Sequence, residues 1–183
     1  YFALDARMMS EMATAIGKKK DGETYAALFE DIKKAFIKTF VGFDNRVKGN
    51  TQTCYVLALA FDLLPVEARP SALAHLAQDL AYRSGHFSTG FVGLKDLMPT
   101  LTNGGREDLA YRILLNEKFP SWGYEIKSGA TTIWERWDGW NDELGLQTPG
   151  MNSFNHYAFG AVGEWLFVTV GGIDLLEPGY RRI

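Results

Sequence analysis

A cluster of tryptophans interleaved with charged side chains is the part of this sequence best suited to chemistry. Four of the five tryptophans fall in it, at positions 122, 134, 137 and 140. Glu135, Arg136 and Asp138 stand among them. Flat apolar rings beside carboxylates are typical of sugar sites, where rings cover C–H faces and carboxylates bond to hydroxyls or transfer protons. The alternative is an irregular core loop in which Glu135 pairs with Arg136, and composition alone favours neither.

Glu135 is the carboxylate best placed for acid–base work. It follows residues 130–134, whose β-branched and aromatic side chains predict a short strand. Trp134 and Trp137 lie on either side of it in the sequence, and Arg136 is in a position to anchor the loop. Glycoside hydrolysis needs two carboxyl groups, one that protonates the leaving oxygen and one that activates water or attacks the sugar. Glu135 is therefore the first candidate for one of the two.

Other common chemistries find little support in the sequence. The three histidines, at 75, 86 and 156, are too scattered for a zinc signature, and the single cysteine, Cys54, does not join them. The nucleophile elbow Gly-x-Ser-x-Gly, the phosphate-binding loop and the dinucleotide glycine fingerprint are all missing from the sequence. We therefore expect neither a metal ion nor a cofactor.

The bulk composition is that of an ordinary globular protein. Of the 183 residues, 46% are hydrophobic and 22% are charged, and the net charge of -3 gives no reason to expect nucleic acid or an anionic membrane as a partner. No apolar run approaches the roughly 20 residues that span a bilayer. We expect a soluble protein and leave its compartment open. Because the chain opens at Tyr1 within a helical pattern, it is expected to be a piece of a larger polypeptide.

Helical periodicity dominates the sequence around the tryptophan cluster. Seven helices are predicted, at 3–16, 22–40, 52–64, 66–83, 90–102, 106–118 and 153–170. Amphipathic segments such as 22–40 alternate with segments that are apolar on all sides, such as 52–64. This alternation predicts an all-α fold, an α/α toroid of helical hairpins that the chain completes only in part, as one domain over 1–183. A compact irregular helical bundle is the alternative.

N-caps are predicted for two of these helices, and the second of them bears on the site. Asp21 is the expected N-cap of the second helix, and Asn152 or Ser153 that of the last one. The latter cap would put His156 in the first turn of the last helix, facing the loop of residues 119–152. A loop of that length is usually functional, and its turn-rich part, 141–150, is expected to cover the mouth of the site. His86 and Phe91 either line the cavity or pack in its wall, and packing is the favoured interpretation.

Two long motifs carry a family resemblance. Residues 129–138 read GATTIWERWD, and residues 149–166 read PGMNSFNHYAFGAVGEWL. Both resemble the C-terminal half of the catalytic domain of bacterial α-L-rhamnosidases. Shorter stretches at 52–65, 85–93, 105–115 and 120–124 follow in the order of that family. The resemblance covers residues 50–180.

The resemblance implies a fold, a reaction and site residues. The fold is an (α/α)6 barrel, and the reaction is hydrolysis of terminal α-L-rhamnosides with inversion. Glu135 takes the position of the family's general base, and His156 that of a residue that contacts the sugar. The other expected sugar contacts are Asn155 and three tryptophans, Trp122, Trp134 and Trp137.

The same resemblance leaves one catalytic group unaccounted for. The family's general acid lies in an earlier motif, Asp-Cys-Pro followed by Arg-x-Glu-Arg and a Trp, and nothing in 1–183 matches it. The isolated chain is therefore expected to be a poor hydrolase, to need the rest of its parent polypeptide as a partner beside the rhamnose-containing substrate, and to self-associate through exposed apolar helices. Two other functions stay open: a non-catalytic carbohydrate-binding or structural helical domain, and a polysaccharide lyase on the same toroid.

Overall fold

The computed structural model describes residues 1–177 and 179–183, and their secondary structure is mainly helical. The α-helices are α1 (Phe2–Ala15), α2 (Lys19–Phe40), α3 (Gln52–Ala60), α4 (Arg69–Tyr82), α5 (Phe91–Asn103), α6 (Glu107–Leu114), α7 (Trp122–Lys127) and α8 (Val162–Trp165). Two short strands, β1 (Trp140–Asn141) and β2 (Gly145–Leu146), form an antiparallel hairpin that pairs Trp140 with Leu146. The chain divides into two compact units, residues 1–78 and 79–183, which are described separately below.

The first unit is built on the pair of helices α1 and α2. Its buried core contains Ala3 and Ala6 of α1, Phe29 of α2, and Phe61 and Leu63 after α3. Small alanines on α1 leave room for the phenylalanine rings. The amphipathic helix that the sequence predicts at 22–40 faces this core through Phe29.

Gly22 sets how closely α1 and α2 approach. A Cβ at this position would lie 2.5 Å from Thr14 Oγ1 and 3.3 Å from the Ser10 carbonyl oxygen. Ser10 Oγ in turn donates to the Gly22 carbonyl oxygen at 2.8 Å, which binds the two helices together at this point. A glycine is therefore needed in α2 because no side chain fits between the helices.

The predicted N-cap at Asp21 is wrong, because α2 begins two residues earlier, at Lys19. Gly17 ends α1 with a φ of 79°, and Lys18 alone separates it from α2. Asp21 instead lies in the first turn, where a negative charge is favourable to the helix dipole. Lys19 and Lys20 therefore form part of the first turn of α2.

The second unit has its core between α5 and α6. Leu94, Leu97, Met98 and Leu101 of α5 are at most 2% exposed, and Ile113 of α6 is 1% exposed. The predicted helices 90–102 and 106–118 therefore both exist. The bounds of α5 differ from the prediction by one residue at each end, and α6 ends four residues before the predicted end.

The predicted strand at 130–134 and the predicted helix at 153–170 are both wrong. Residues 130–134 have no assigned strand, and helical structure in the second region begins only at Ala158, with a 3₁₀ turn, α8 and a π-helical turn over Leu166–Val170. The physical reason is that the Ser153 carbonyl and the His156 N–H bond to residues 135 and 133, so they are not available to a helix. His156 accordingly lies before the first helical turn.

The C-terminal part of that region is only partly buried. Phe159 and Trp165 are buried, but Phe167, Val170, Ile173 and Leu176 are each about half or more exposed. Trp165 is held by its Nε1–H, which donates to Thr102 Oγ1 at 2.9 Å. Self-association through such apolar side chains stays a prediction.

Candidate active site

Glu135 is held through both its backbone and its side chain by Ser153. The Glu135 N–H donates to the Ser153 carbonyl oxygen at 2.8 Å, and the Ser153 N–H donates to Glu135 Oε2 at 2.8 Å. The side chain is half-buried. These two hydrogen bonds fix the position of the carboxylate, which is what a group that takes a proton from a defined direction requires.

Further hydrogen bonds join the two segments that carry these residues. The His156 N–H donates to the Ile133 carbonyl oxygen at 2.9 Å, and the Thr132 hydroxyl donates to the Phe154 carbonyl oxygen. The backbone polar groups near Glu135 are thus satisfied by a segment distant in sequence. This pairing replaces the strand that the sequence predicted at 130–134.

Arg136 does not serve as the counter-ion of Glu135 in the way the core-loop alternative requires. Its Nε and one terminal nitrogen, Nη2, donate to the two carboxylate oxygens of Asp138 at 2.9 and 2.8 Å, which is a bidentate ion pair. This hydrogen-bonded guanidinium holds the pKa of Asp138 below its usual value. Arg136 therefore anchors the turn after Glu135 through Asp138.

Trp137 stands in a cluster of aromatic rings next to Glu135. Its ring stacks on Phe159, with centroids 4.1 Å apart and planes inclined by 17°. Phe87 and Trp122 meet it edge-on, with centroids at 5.0 and 5.5 Å. Trp122 is itself fixed by its Nε1–H, which donates to the Phe159 carbonyl oxygen at 3.0 Å. The indole of Trp137 is thereby held rigidly, as a platform for an apolar ligand face would need to be.

A cleft of about 360 Å³ opens beside this platform. Its side-chain lining consists of four aromatic rings and three charged groups: Phe91, Phe119, Trp137, Phe159, Glu135, Arg136 and Asp138. The volume lies in the range of small-ligand pockets, and rings beside a few charged groups are the usual lining of such pockets. The cleft can therefore accept a single sugar ring with one apolar face.

His156 lies at the edge of this arrangement, stacked on Phe91. The two ring centroids are 4.9 Å apart and the planes differ by 12°. The Ala158 N–H donates to His156 Nδ1 at 3.3 Å, so in the neutral ring the proton resides on Nε2. Such an Nε2–H group is a hydrogen-bond donor suited to a sugar hydroxyl.

The other residues that the sequence singled out are placed differently. Trp134 is 5% exposed and packs on Phe154, and Trp122 is 6% exposed behind Trp137, so neither ring lines the cleft. Asn155 is exposed, and its N–H donates to Ser153 Oγ at 3.1 Å. The predicted sugar contacts of these three residues stay predictions.

Three aromatic residues line the cleft although the sequence does not predict it. Phe91 was read as packing and lines the cleft, and Phe119 and Phe159 were not singled out at all. They come from segments far apart in the chain and share no spacing, so periodicity could not group them. The signal that could have found Phe159 is its place within the motif at 149–166.

Two kinds of feature do not occur in residues 1–177 and 179–183. The structure shows there no group of three or more His, Cys, Asp or Glu side chains that could hold a metal ion. None of the helices described is both long enough and apolar enough to cross a membrane.

Comparison with known proteins gives consistent matches over nearly the whole chain. Residues 1–170 match the model of the bacterial alpha-L-rhamnosidase 6 hairpin glycosidase domain. An α-L-rhamnosidase of Streptomyces avermitilis is 47% identical over 183 residues, which is 100% of this chain and 18% of that protein. One from Formosa agariphila is 44% identical over 186 residues, which is 100% of this chain and 20% of that protein. The chain thus spans about a fifth of the length of these relatives.

Solved structures agree with these matches. The S. avermitilis α-L-rhamnosidase complexed with L-rhamnose superposes with a TM-score of 0.93 at 47% identity, covering 98% of this chain and 17% of that one. The native α-L-rhamnosidase from Aspergillus terreus gives a TM-score of 0.91 at 36% identity, covering 97% of this chain and 21% of that one. These structures are thus similar to the chain in sequence as well as in fold.

Proposed function

The chain belongs to the bacterial α-L-rhamnosidase six-hairpin glycosidase family, and on this premise we propose that it supplies the general-base side of a rhamnoside-hydrolysing site. Membership also confirms the predicted fold class, an all-α chain that forms part of an α/α barrel of helical hairpins. The activity of the whole protein, its substrate and the roles of individual residues are the content of the proposal.

The observation that carries the proposal is the way Glu135 is held at the cleft. Its Oε2 accepts the Ser153 N–H, and its side chain lines the same cleft as Trp137. With Oε2 engaged, Oε1 is the oxygen that takes a proton from a water molecule in the cleft. In inverting hydrolysis this water attacks the anomeric carbon from the side opposite the leaving group, with the two carboxyl groups about 6.5–9.5 Å apart.

The lining of the cleft suits a terminal deoxy sugar. L-Rhamnose carries a methyl group in place of a hydroxymethyl group, so part of its surface is apolar and can lie against Trp137 and Phe91. The Nε2–H of His156 then donates to a ring hydroxyl. The bound L-rhamnose of the S. avermitilis structure supports a sugar of this class as the ligand.

The proposal assigns the general acid to residues outside 1–183. The motif expected for it, Asp-Cys-Pro with Arg-x-Glu-Arg, does not occur in this sequence. One carboxylate cannot both protonate the leaving oxygen and activate the water in a single displacement. The chain alone is therefore expected to hydrolyse aryl rhamnosides poorly.

The test of the base assignment is Glu135→Gln in the full-length enzyme that contains this chain. Loss of a general base typically lowers the rate by about 10²–10⁴-fold. We expect kcat to fall by at least this range with KM nearly unchanged, because the glutamine keeps the size of the side chain but cannot take the proton. Glu107→Gln, which alters an exposed carboxylate in the first turn of α6, is the control and is expected to keep the wild-type kcat. A Glu135→Gln enzyme with most of its kcat would exclude the assignment.

The stereochemistry of hydrolysis tests the proposed role of water separately. If Glu135 activates a water, the first sugar released has the anomeric configuration opposite to that of the substrate. Proton NMR during the first minutes of turnover of an α-L-rhamnoside distinguishes the anomers before mutarotation mixes them. Initial release of the α anomer would mean a covalent intermediate and contradict the mechanism.

A further inference from the structure

Asn152 stands directly before the residue that holds Glu135, and the reaction described above gives it no role. The sequence predicts that Asn152 or Ser153 caps a helix. The half-buried amide of Asn152 instead bonds to the chain that precedes it: its Nδ2 donates to the Gly139 carbonyl oxygen at 2.8 Å and also to the Gln147 carbonyl oxygen. One side chain thus joins three separate points of the region around the cleft.

The first acceptor, Gly139, is the last residue of the turn that follows Glu135. The Gly139 N–H donates to the Arg136 carbonyl oxygen at 3.1 Å, which closes this turn. A Cβ at position 139 would lie 2.8 Å from Asn152 Oδ1, so the asparagine packs directly against the glycine backbone. Asn152 is therefore in close contact with the end of the turn as well as hydrogen-bonded to it.

The turn of residues 135–139 is consequently attached at both of its ends to two consecutive residues. At one end, Glu135 exchanges hydrogen bonds with the N–H and the carbonyl oxygen of Ser153. At the other end, the Gly139 carbonyl oxygen accepts from Asn152. Side chains from the middle of the turn, including Trp137, line the cleft. A segment attached at two points cannot rotate about either of them, so this turn is held as a unit.

The donors of Asn152 are what distinguish it from other side chains of its size. An amide offers two N–H donors, whereas an ionised carboxylate offers none and a hydroxyl one. The Oδ1 atom of Asn152 is buried and has no hydrogen-bond partner, which costs free energy. An apolar side chain would avoid that cost, so packing alone does not explain an amide at this position.

We propose that Asn152 is a positioning residue for Glu135, acting through Ser153. By fixing residue 152 to the end of the turn, it fixes the adjacent Ser153 N–H that Glu135 Oε2 accepts. The inference rests on the proposed function of Glu135 as the base. Catalytic groups must be held within about 0.5 Å of their working position, and a misplacement of about 1 Å can cost on the order of 10²-fold in rate.

The effect is expected in catalysis more than in binding. The Trp137 ring is held by its own stacking on Phe159 and by the edge-on contacts of Phe87 and Trp122, none of which involves Asn152. In the full-length enzyme that contains this chain, we expect Asn152→Ala to lower kcat by about 10–10²-fold with KM within about threefold of wild type. A folded Asn152→Ala enzyme with the wild-type kcat would overturn the proposal.

Gln147→Ala is the matched control, because it disturbs the same hairpin without removing the bonds of Asn152. The Gln147 side chain donates from Nε2 to the Gly145 carbonyl oxygen at 2.9 Å, whereas Asn152 bonds to the main-chain oxygen of Gln147. We expect Gln147→Ala to keep kcat within about threefold of wild type. An equal loss of kcat in the two variants would mean that only the integrity of the hairpin matters, and would overturn the positioning role.

The double variant with Glu135→Gln tests whether Asn152 acts through Glu135. Two residues that act through one step are not additive, so Asn152→Ala should lower the residual kcat of Glu135→Gln by less than about threefold. The same fold loss in both backgrounds would place the action of Asn152 elsewhere and overturn the proposal. If Glu135→Gln itself keeps its activity, the proposed base fails. If Glu135→Gln is inactive while Asn152→Ala is normal, only the positioning role fails.

Asn152→Ser keeps the proposal testable if the alanine variant does not fold. Serine is shorter and has one donor, so it can serve at most one of the two carbonyl oxygens. We expect kcat to fall at least about fivefold, with KM again within about threefold of wild type. Circular dichroism establishes that the variant is folded. A folded Asn152→Ser enzyme with the wild-type kcat would contradict the need for both hydrogen bonds and overturn the proposal.

Discussion

The pair formed by α1 and α2 and the segment of residues 119–157 are held in place in different ways. In the helix pair, backbone polar groups bond within each helix, and the contact between the helices needs little more than an apolar stripe and the space left by Gly22. In residues 119–157, backbone groups bond to partners far away in sequence, as Glu135 does with Ser153. Residues 119–157 therefore need hydrogen-bond partners at particular positions, whereas the helix pair does not.

The difference shows where a fold can carry chemistry. A helix satisfies its own hydrogen bonds and leaves its side chains free to vary as long as the stripe remains apolar. An irregular segment has to recruit side chains and distant backbone to satisfy its polar groups, and the recruited groups become fixed in space. Glu135 and Trp137 are held in this way, by hydrogen bonds to Ser153 and by ring contacts with Phe159.

Truncation of Trp122 is expected to give the largest effect on stability. Its ring is 6% exposed, contacts Phe87 and Trp137, and donates to the Phe159 carbonyl oxygen. Loss of a buried Trp side chain typically costs about 3–5 kcal/mol. We expect Trp122→Ala to lose that much free energy of unfolding in chemical denaturation of the chain.

The control for Trp122 is Trp140→Ala, because Trp140 is 39% exposed in β1. Its loss is expected to cost about 1 kcal/mol or less, as for surface substitutions generally. If both variants lost the same free energy of unfolding, the aromatic cluster would not be what holds residues 119–157 together.

The pH dependence of stability is expected to reveal the buried Glu125. Its pKa is raised from 4.5 to about 7 by burial, so between these values the folded chain binds more protons than the unfolded chain. Stability contributed by this group is complete below pH 4.5, falls as the pH rises towards 7, and is then level. The difference between 4.5 and about 7 corresponds to about 3 kcal/mol.

Glu125→Gln isolates this effect, because glutamine resembles the protonated carboxyl group at every pH. Denaturation curves measured from pH 4.5 to 8 should show the free energy of unfolding of wild type falling relative to that of the variant. Parallel curves for the two proteins would mean that Glu125 does not titrate in this range.

The smallest of the three effects is expected at Gly22, in the helix pair. A Cβ there would meet Thr14 Oγ1 at 2.5 Å, so Gly22→Ala forces the helices apart at that point. Overpacking of this kind costs about 1–3 kcal/mol, partly offset by the better helix propensity of alanine. We expect a lower free energy of unfolding with an unchanged kcat in the full-length enzyme.

Thr14→Ala in the Gly22→Ala background provides the check on this mechanism. It removes the hydroxyl that the new methyl group meets, so part of the lost stability should return. A fall in kcat of Gly22→Ala beyond the fraction of unfolded protein would show that the helix pair is not independent of the chemistry.

The sequence by itself determined the regular helices and the family. Apolar residues at helical spacing predicted α2 and α5 almost to their ends, because each helix makes its hydrogen bonds within one stretch of chain. The motifs at 129–138 and 149–166 led to the family that the comparisons then showed, and with it to the α/α fold class. Glu135 could be chosen from the sequence alone because tryptophans and charged residues stand next to it there.

Only the tertiary structure decided how the site is assembled. The strand expected at 130–134 and the helix expected from 153 do not form, because each segment bonds to the other instead of to itself. The burial of Trp134 and of Glu125 is likewise a result of tertiary packing. Hydrophobic periodicity predicts local secondary structure, in which the backbone hydrogen bonds of a helix lie within one stretch of chain. It does not predict a site that is built from hydrogen bonds between distant stretches.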